Sequence, residues 1–199
     1  MLNNKEAIIF DLDGTLYDKR KLQIEMMFKL FIYYVFHLFE IKDLIILYKF
    51  RKEFNNTNKT EIQIKKLLAT RYNVSRQEVD SIINKWIYDE SYDLIYKYQY
   101  NNVINFIKQS SKKIYIYSEY KAINKIRKLE INPIKLYDNT NIGYKKPSLK
   151  AMNYIINDIG INANKILYIG DRDDKDKISA ELVGIDYLDI IKFRNTLIK

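Results

Sequence analysis

The chain has 199 residues, of which 47% are apolar, with no cysteine, a single histidine and a formal net charge of +9. That length and composition fit one globular core, or a core carrying an insert, and exclude a disordered chain. The lack of cysteine excludes disulfides, thiol nucleophiles and thiolate metal sites, so any metal must be held by oxygen ligands or by the one histidine.

The first element is the apolar run Ala7-Ile8-Ile9-Phe10, short, branched and aromatic as a buried central strand should be. It is too short for a signal peptide, and a cytoplasmic location is expected. Asp11-Leu12-Asp13-Gly14-Thr15 follows at once. Two carboxylates therefore stand at the C-terminal end of a strand, where parallel α/β sheets open into a ligand-binding crevice. Side chains two residues apart in an extended segment share a side, so Asp11 and Asp13 can face one atom. Their mutual repulsion calls for a shared proton or a cation, and an oxygen-only pair suits Mg²⁺. Gly14 lets the backbone turn sharply and approach a ligand with no Cβ in the way.

Residues 19–54 carry no Gly or Pro and are rich in large apolar side chains, which predicts one long helix or two in succession. The polar stretch Asn55-Asn56-Thr57-Asn58 predicts a loop, and a further helix is expected from about Lys59 to Tyr72. Ser75-Arg76-Gln77-Glu78 has the form of a capping box and opens a helix expected to reach about Glu90. Residues 19–99 thus read as an almost all-helical insert. Within it, Leu30 to Phe39 is apolar around the whole helix but too short to span a bilayer. Burial within the insert or in a homodimer interface is the favoured reading, and membrane contact the less favoured. His37 in that run reads as a buried or interface side chain rather than a metal ligand, and Trp86 and the 18 tyrosines as packing groups.

Alternation returns after the insert. A helix is predicted over 101–109, a strand over 113–117 ending at Ser118, a helix over 122–129, a strand around 134–137 and a helix over 148–158. An apolar strand over 166–169, a helix over 177–183 and a closing strand over 185–190 complete the pattern. This predicts an α/β, doubly wound parallel sheet, with a core of residues 1–18 and 100–199. Both later strong strands end in polar groups, Ser118 and Gly170-Asp171, and Lys146 stands just before Pro147. Such a lysine could neutralise a phosphoryl oxygen or hold a nucleophile. The basic residues are interspersed with acids and apolar residues along the chain, so no nucleic-acid partner is expected.

Taken in order, Phe10-Asp11-Leu12-Asp13-Gly14-Thr15-Leu16, Tyr117-Ser118, Lys146-Pro147 and Ile169-Gly170-Asp171-Arg172-Asp173-Asp174-Lys175-Asp176 resemble the four motifs of the haloacid dehalogenase superfamily. The helical insert after the first strand is similar to the cap of its phosphoglycolate-phosphatase-like group. The resemblance implies a Mg²⁺-dependent phosphomonoester hydrolase acting on a small or lipid-linked phosphorylated metabolite through an aspartyl-phosphate. It assigns Asp11 as nucleophile, Asp13 as acid and base, Ser118 as a donor to a phosphoryl oxygen and Lys146 as the charge-balancing group. Gly14 and Thr15 join Ser118 and Lys146 as substrate-binding positions. The metal would be held by Asp11, the main-chain carbonyl of Asp13, and Asp171. Asp176 is favoured over Asp173 and Asp174 as the further acid at the metal site, and Lys145, the rival of Lys146, reads as an exposed loop lysine. Ser118 is followed by Glu119-Tyr120, where many relatives carry a small pair. The alternatives are a sugar phosphomutase of the same fold and a non-catalytic protein that uses the apolar insert to bind a membrane or a partner.

Overall fold

The computed structural model describes residues 2–57 and 59–198. The chain forms two compact units, one of residues up to Lys19 together with Ile95 onward, the other of Arg20–Leu94.

The first unit is built on a five-stranded sheet of β1 (Ala7–Asp11), β2 (Lys113–Tyr117), β3 (Lys135–Tyr137), β4 (Ile166–Gly170) and β5 (Asp186–Asp189). All pairings are parallel and the order is β3-β2-β1-β4-β5. β1 is central and every one of its residues is buried, which is why it reads as a continuous apolar run. The chain winds outward on one side through β2 and β3, then returns to the other side of β1 for β4 and β5. The C-terminal ends of β1 and β4 therefore flank the point where the winding reverses, the usual place for a ligand crevice in such sheets.

Alternate residues of β1 serve opposite faces. Ala7 and Ile9 join Tyr115, Tyr117, Met152 and Ile155 on one side. Phe10 meets Phe106 and Phe193 edge-on at centroid distances of 6.5 and 5.7 Å on the other, with those two rings 5.1 Å apart. Phe106 lies on the helix Asn101–Gln109, and Phe193 on Ile190–Thr196, capped by Asp189 through the N–H groups of Ile191 and Lys192. That last helix is absent from the sequence-based reading. Met152 and Ile155 lie on the helix Leu149–Ile159, which begins one residue after Ser148 because Ser148 is its cap. The predicted helix over 177–183 is shorter, Ile178–Glu181, because a π-helical turn over Asp173–Lys177 precedes it.

In the second unit, residues 19–54 form two helices rather than one. α1 (Lys19–Phe36) and α2 (Ile41–Asn56) are joined by a single 3₁₀ turn over Leu38–Glu40. α2 includes Asn55 and Asn56, so the predicted loop begins later than the polar composition suggests, and its Asn58 lies outside the described residues. α3 (Glu61–Tyr72) opens with a full capping box between Thr60 and Gln63. At α4 (Arg76–Ile83) only half of the predicted box forms: Ser75 accepts from the Glu78 N–H at 3.0 Å. The helix expected to end near Glu90 continues, through a π-helical turn over Asn84–Asp89, into α5 (Glu90–Tyr98). Nothing between Arg76 and Gln99 is Gly or Pro, so nothing in the backbone forces an end. Among the described residues no helix is long and apolar enough to cross a membrane.

His37 was expected to be buried or at an interface; within the single chain it is exposed, stacks on Tyr33 at 4.0 Å, and its Nδ1 contacts the Tyr33 carbonyl. Trp86 and Tyr88 are buried in the second unit.

Phe193→Ala should cost about 3–5 kcal/mol in denaturant unfolding, as expected for emptying a buried aromatic site. Ile191→Ala on the same helix, where the side chain is exposed, should stay within about 0.5 kcal/mol of wild type.

Candidate active site

Asp11 ends β1, and the chain leaves the strand through Leu12, Asp13 and Gly14. Gly14 has a φ of +108°, and a Cβ there would lie 2.3 Å from a carboxylate oxygen of Asp171. The glycine is therefore required twice, for its left-handed backbone and for the approach of an acid from the end of β4. Gly170, one strand across, is required only for close approach, since a Cβ on it would lie 2.6 Å from the Cβ of Asp176.

These bends bring together residues that are 135 positions apart. The buried Lys146 ammonium donates to Asp11 Oδ1 at 2.6 Å, to the Tyr117 carbonyl at 2.9 Å and to Asp176 Oδ1 at 2.9 Å. All three of its protons are thereby used within the protein. The same ammonium lies 4.5 Å from the Tyr117 ring centroid. Asp11 Oδ2 accepts from the Thr15 hydroxyl at 3.0 Å, and Thr15 is wholly buried, so this threonine supports Asp11 from behind. Asp176 is 2% exposed and also accepts from the Tyr168 hydroxyl and the Arg172 N–H. Asp174, by contrast, is tied to the Arg172 guanidinium on the surface. Lys145 is half-buried rather than exposed, and burial, with Lys175 adding to it, lowers its pKa.

Oxygens of Asp11, Asp171 and Asp176 all lie within 4.8 Å of one another, a cluster that could hold a metal ion. Its electrostatics fit that use. Burial, reinforced by Asp176 and Asp171, outweighs Lys146 and raises Asp11 to about 7; burial and Asp176 raise Asp171 to about 6. Three acids with one ammonium among them leave negative charge that a hard cation would neutralise.

Asp13 is held differently. Its Oδ1 accepts from Lys125 at 2.5 Å and from the Tyr17 hydroxyl. Burial alone would raise its pKa, but Lys125 and Lys19, with the hydrogen bonds from Lys125 and Tyr17, hold it below the usual carboxylate range. Both donors fall on one oxygen, which leaves the other for a reacting partner. Lys125 and Tyr17 are missing from the sequence-based site. A signal existed for Lys125: it sits on a short helix, Ile123–Lys128, beside the buried Ala122, Ile126 and Leu129, where an apolar residue would be expected.

Asp11, Asp13, Lys146, Asp171 and Asp176 line one open cleft. Ser118 is buried directly after β2, where its hydroxyl accepts from the Tyr120 N–H at 3.2 Å. The bulky pair that follows it has a place: Glu119 bridges to Lys175 at 2.5 Å and, with Tyr120, forms part of the cleft wall. Asp138, at the end of β3, fixes this loop by accepting from the Ala122 N–H at 2.9 Å.

Comparison with known proteins agrees with this geometry. Residues 8–190 match the family of haloacid dehalogenase-like hydrolases, so the chain belongs to that family and is a hydrolase of the haloacid dehalogenase superfamily. Among solved structures, it resembles the candidate HAD-hydrolase YfnB from Bacillus subtilis, bound to magnesium, at 16% identity and a TM-score of 0.61, over 92% of this chain and 87% of that one. It resembles the L-2-haloacid dehalogenase PA0810 at 14% identity and 0.61, over 92% and 83%. A candidate phosphoglycolate phosphatase from Lactobacillus plantarum follows at 14% and 0.55, over 94% and 86%. A search of curated proteins gives no match.

Lys146→Met should destabilise the protein by about 3–5 kcal/mol, because it strands two buried carboxylates. With the ammonium gone, the Asp11 pKa, already raised to about 7, goes higher still, so above neutral pH the folded variant binds more protons than folded wild type and its deficit grows as pH rises. Urea unfolding of Lys146→Met at pH 5 and pH 8 should therefore show the larger deficit at pH 8.

Proposed function

We propose that the chain hydrolyses phosphomonoesters, with Asp11 as nucleophile and Asp13 as the acid and base. The observation that carries this reading is the second carboxylate: Asp13 stands two residues after Asp11 on the same cleft, clamped through one oxygen and free at the other. A hydrolytic dehalogenase expels a halide, which needs no proton. A phosphatase expels an alkoxide, which does.

Asp11 attacks phosphorus in line and forms an aspartyl-phosphate, splitting one difficult displacement into two easier ones. Lys146 and Thr15 hold its carboxylate at the strand end, so little motion is needed to reach attack geometry. Asp13 delivers a proton to the leaving oxygen and recovers one from the water that hydrolyses the intermediate. In the free protein it is held ionised, the form that accepts a proton. An incoming phosphoryl group brings negative charge against it and favours the protonated form that the first step uses. Ser118 is assigned to a phosphoryl oxygen. Asp11, Asp171 and the main-chain carbonyl of Asp13 would hold Mg²⁺, with Asp176 orienting that group. When bound, the ion would neutralise charge on the phosphoryl oxygens and the nucleophile. The substrate class is a small or lipid-linked phosphorylated metabolite.

Purified protein should release phosphate from phosphomonoesters with Mg²⁺ present, lose that activity in EDTA and regain it on adding the metal. Asp11→Asn should be inactive; equal release by wild type and Asp11→Asn would overturn the proposal. Lys125→Met tests the role of Asp13. It should slow an alkyl phosphate by roughly 10–100-fold, while p-nitrophenyl phosphate, whose leaving group needs no protonation, is slowed much less.

A further inference from the structure

The helical unit carries an apolar surface with no covering element. Of the twenty-four exposed large apolar residues among the described ones, thirteen lie between Ile24 and Tyr48. On α1 they recur at helical spacing, with Phe28 63% and Phe31 67% exposed. At the turn between the helices Phe36 is 79% exposed and Phe39 fully so, and Ile41 and Ile45 continue the surface along α2. At about 200 Å² for a fully exposed large side chain, the thirteen present on the order of 1,500 Å². The largest apolar patch on an ordinary monomer is roughly 300–600 Å², whereas each partner in a stable complex covers about 800 Å². The surface is thus too large to be left in water and large enough for a lasting interface.

We propose that it is the contact face of a homodimer, a second copy of this chain laying its own α1–α2 turn against it. Charge selects this occupant over a lipid surface. Between Ile24 and Tyr48 stand Glu25, Glu40 and Asp43 against Lys29 and Lys42, so the apolar stretch itself has no cationic excess; the basic clusters Lys19-Arg20-Lys21 and Lys49, Arg51 and Lys52 lie away from the turn, toward the far ends of the two helices. Glu40 directly follows the most exposed phenylalanine and would be driven into the headgroups of an anionic membrane, where basic side chains are the ones attracted. A nearly neutral apolar face meets a copy of itself without like-charge cost, as a two-fold contact requires. A monomer in water would have to leave both apolar stripes wet.

Light scattering coupled to size exclusion tests this with the full chain at micromolar concentration. Wild type should run at twice the monomer mass. Phe31→Glu combined with Phe39→Glu, both at exposed positions, should run as a monomer with unchanged helical circular dichroism, its dimer affinity weakened by at least roughly 100-fold. Ile191→Glu, at an exposed apolar position outside the surface, should remain dimeric. A wild-type monomer across the concentration range would overturn the proposal. So would a dimer indifferent to the double substitution, or a monomer that sediments with phosphatidylglycerol vesicles. Because none of these readouts involves phosphate release, they stand or fall apart from the chemistry at Asp11.

Discussion

The candidate site depends on one buried ammonium. Lys146 Nζ reaches Asp11 at the end of β1, the carbonyl of Tyr117 at the end of β2, and Asp176 just beyond β4. It therefore ties three strand ends to one point. Buried ions are tolerable only when every hydrogen-bonding capacity is met, and here all three protons have partners. The lysine is spent on holding the acids in place, so it stabilises Asp11 by position and charge while the open side of the cleft stays clear. The two close glycine contacts follow from the same demand, because crowding three carboxylates around one cation leaves no room for a Cβ at Gly14 or Gly170.

The two aspartates of the first motif have been driven apart electrostatically. Burial pushes both upward; at Asp11, beside Asp171 and Asp176, the pKa stays raised, whereas at Asp13 Lys125 and Lys19 overcome burial and lower it. Neighbouring carboxylates with opposed shifts are how one site acquires two roles. The separation comes from elements remote in sequence: the acids follow β4, whereas Lys125 belongs to the helix after β2. A cation placed by Asp11 and Asp171 would complete the charge balance that Lys146 leaves unfinished.

The helical unit obeys a different constraint. Its interior is closed by Phe50, Phe54, Ile64, Leu68 and Trp86, and Lys65 is neutralised there by Glu61 at 2.7 Å and Asp80 at 3.0 Å. α1 and α2 carry more apolar surface than that interior can use. The apolar run at Leu30 to Phe39 was expected to be covered, and Tyr34 is; Phe31, Phe36 and Phe39 are not. A helix apolar on all sides calls for cover on all sides, and the fold supplies it on one face only.

By itself the sequence determined the class of fold and marked Asp11, Ser118 and Asp171 as strand-end candidates, because these depend on local pattern: short apolar strands, each ending in a polar residue; Asp13 was legible from its spacing to Asp11, and Lys146 from its place before Pro147. The alternation of strands and helices was likewise legible, since a parallel sheet buried on both faces requires it. Tertiary structure decided the rest. Which of Asp173, Asp174 and Asp176 faces Lys146 depends on the π-helical turn that buries Asp176 and turns Asp174 toward Arg172. Lys125 and Tyr17 became partners of Asp13, and Thr15 of Asp11, only when the packing left each donor one acceptor within reach. Periodicity records which side chains avoid water, but the pairing of buried charges is set by distances between strand ends, and those exist only once the sheet has formed.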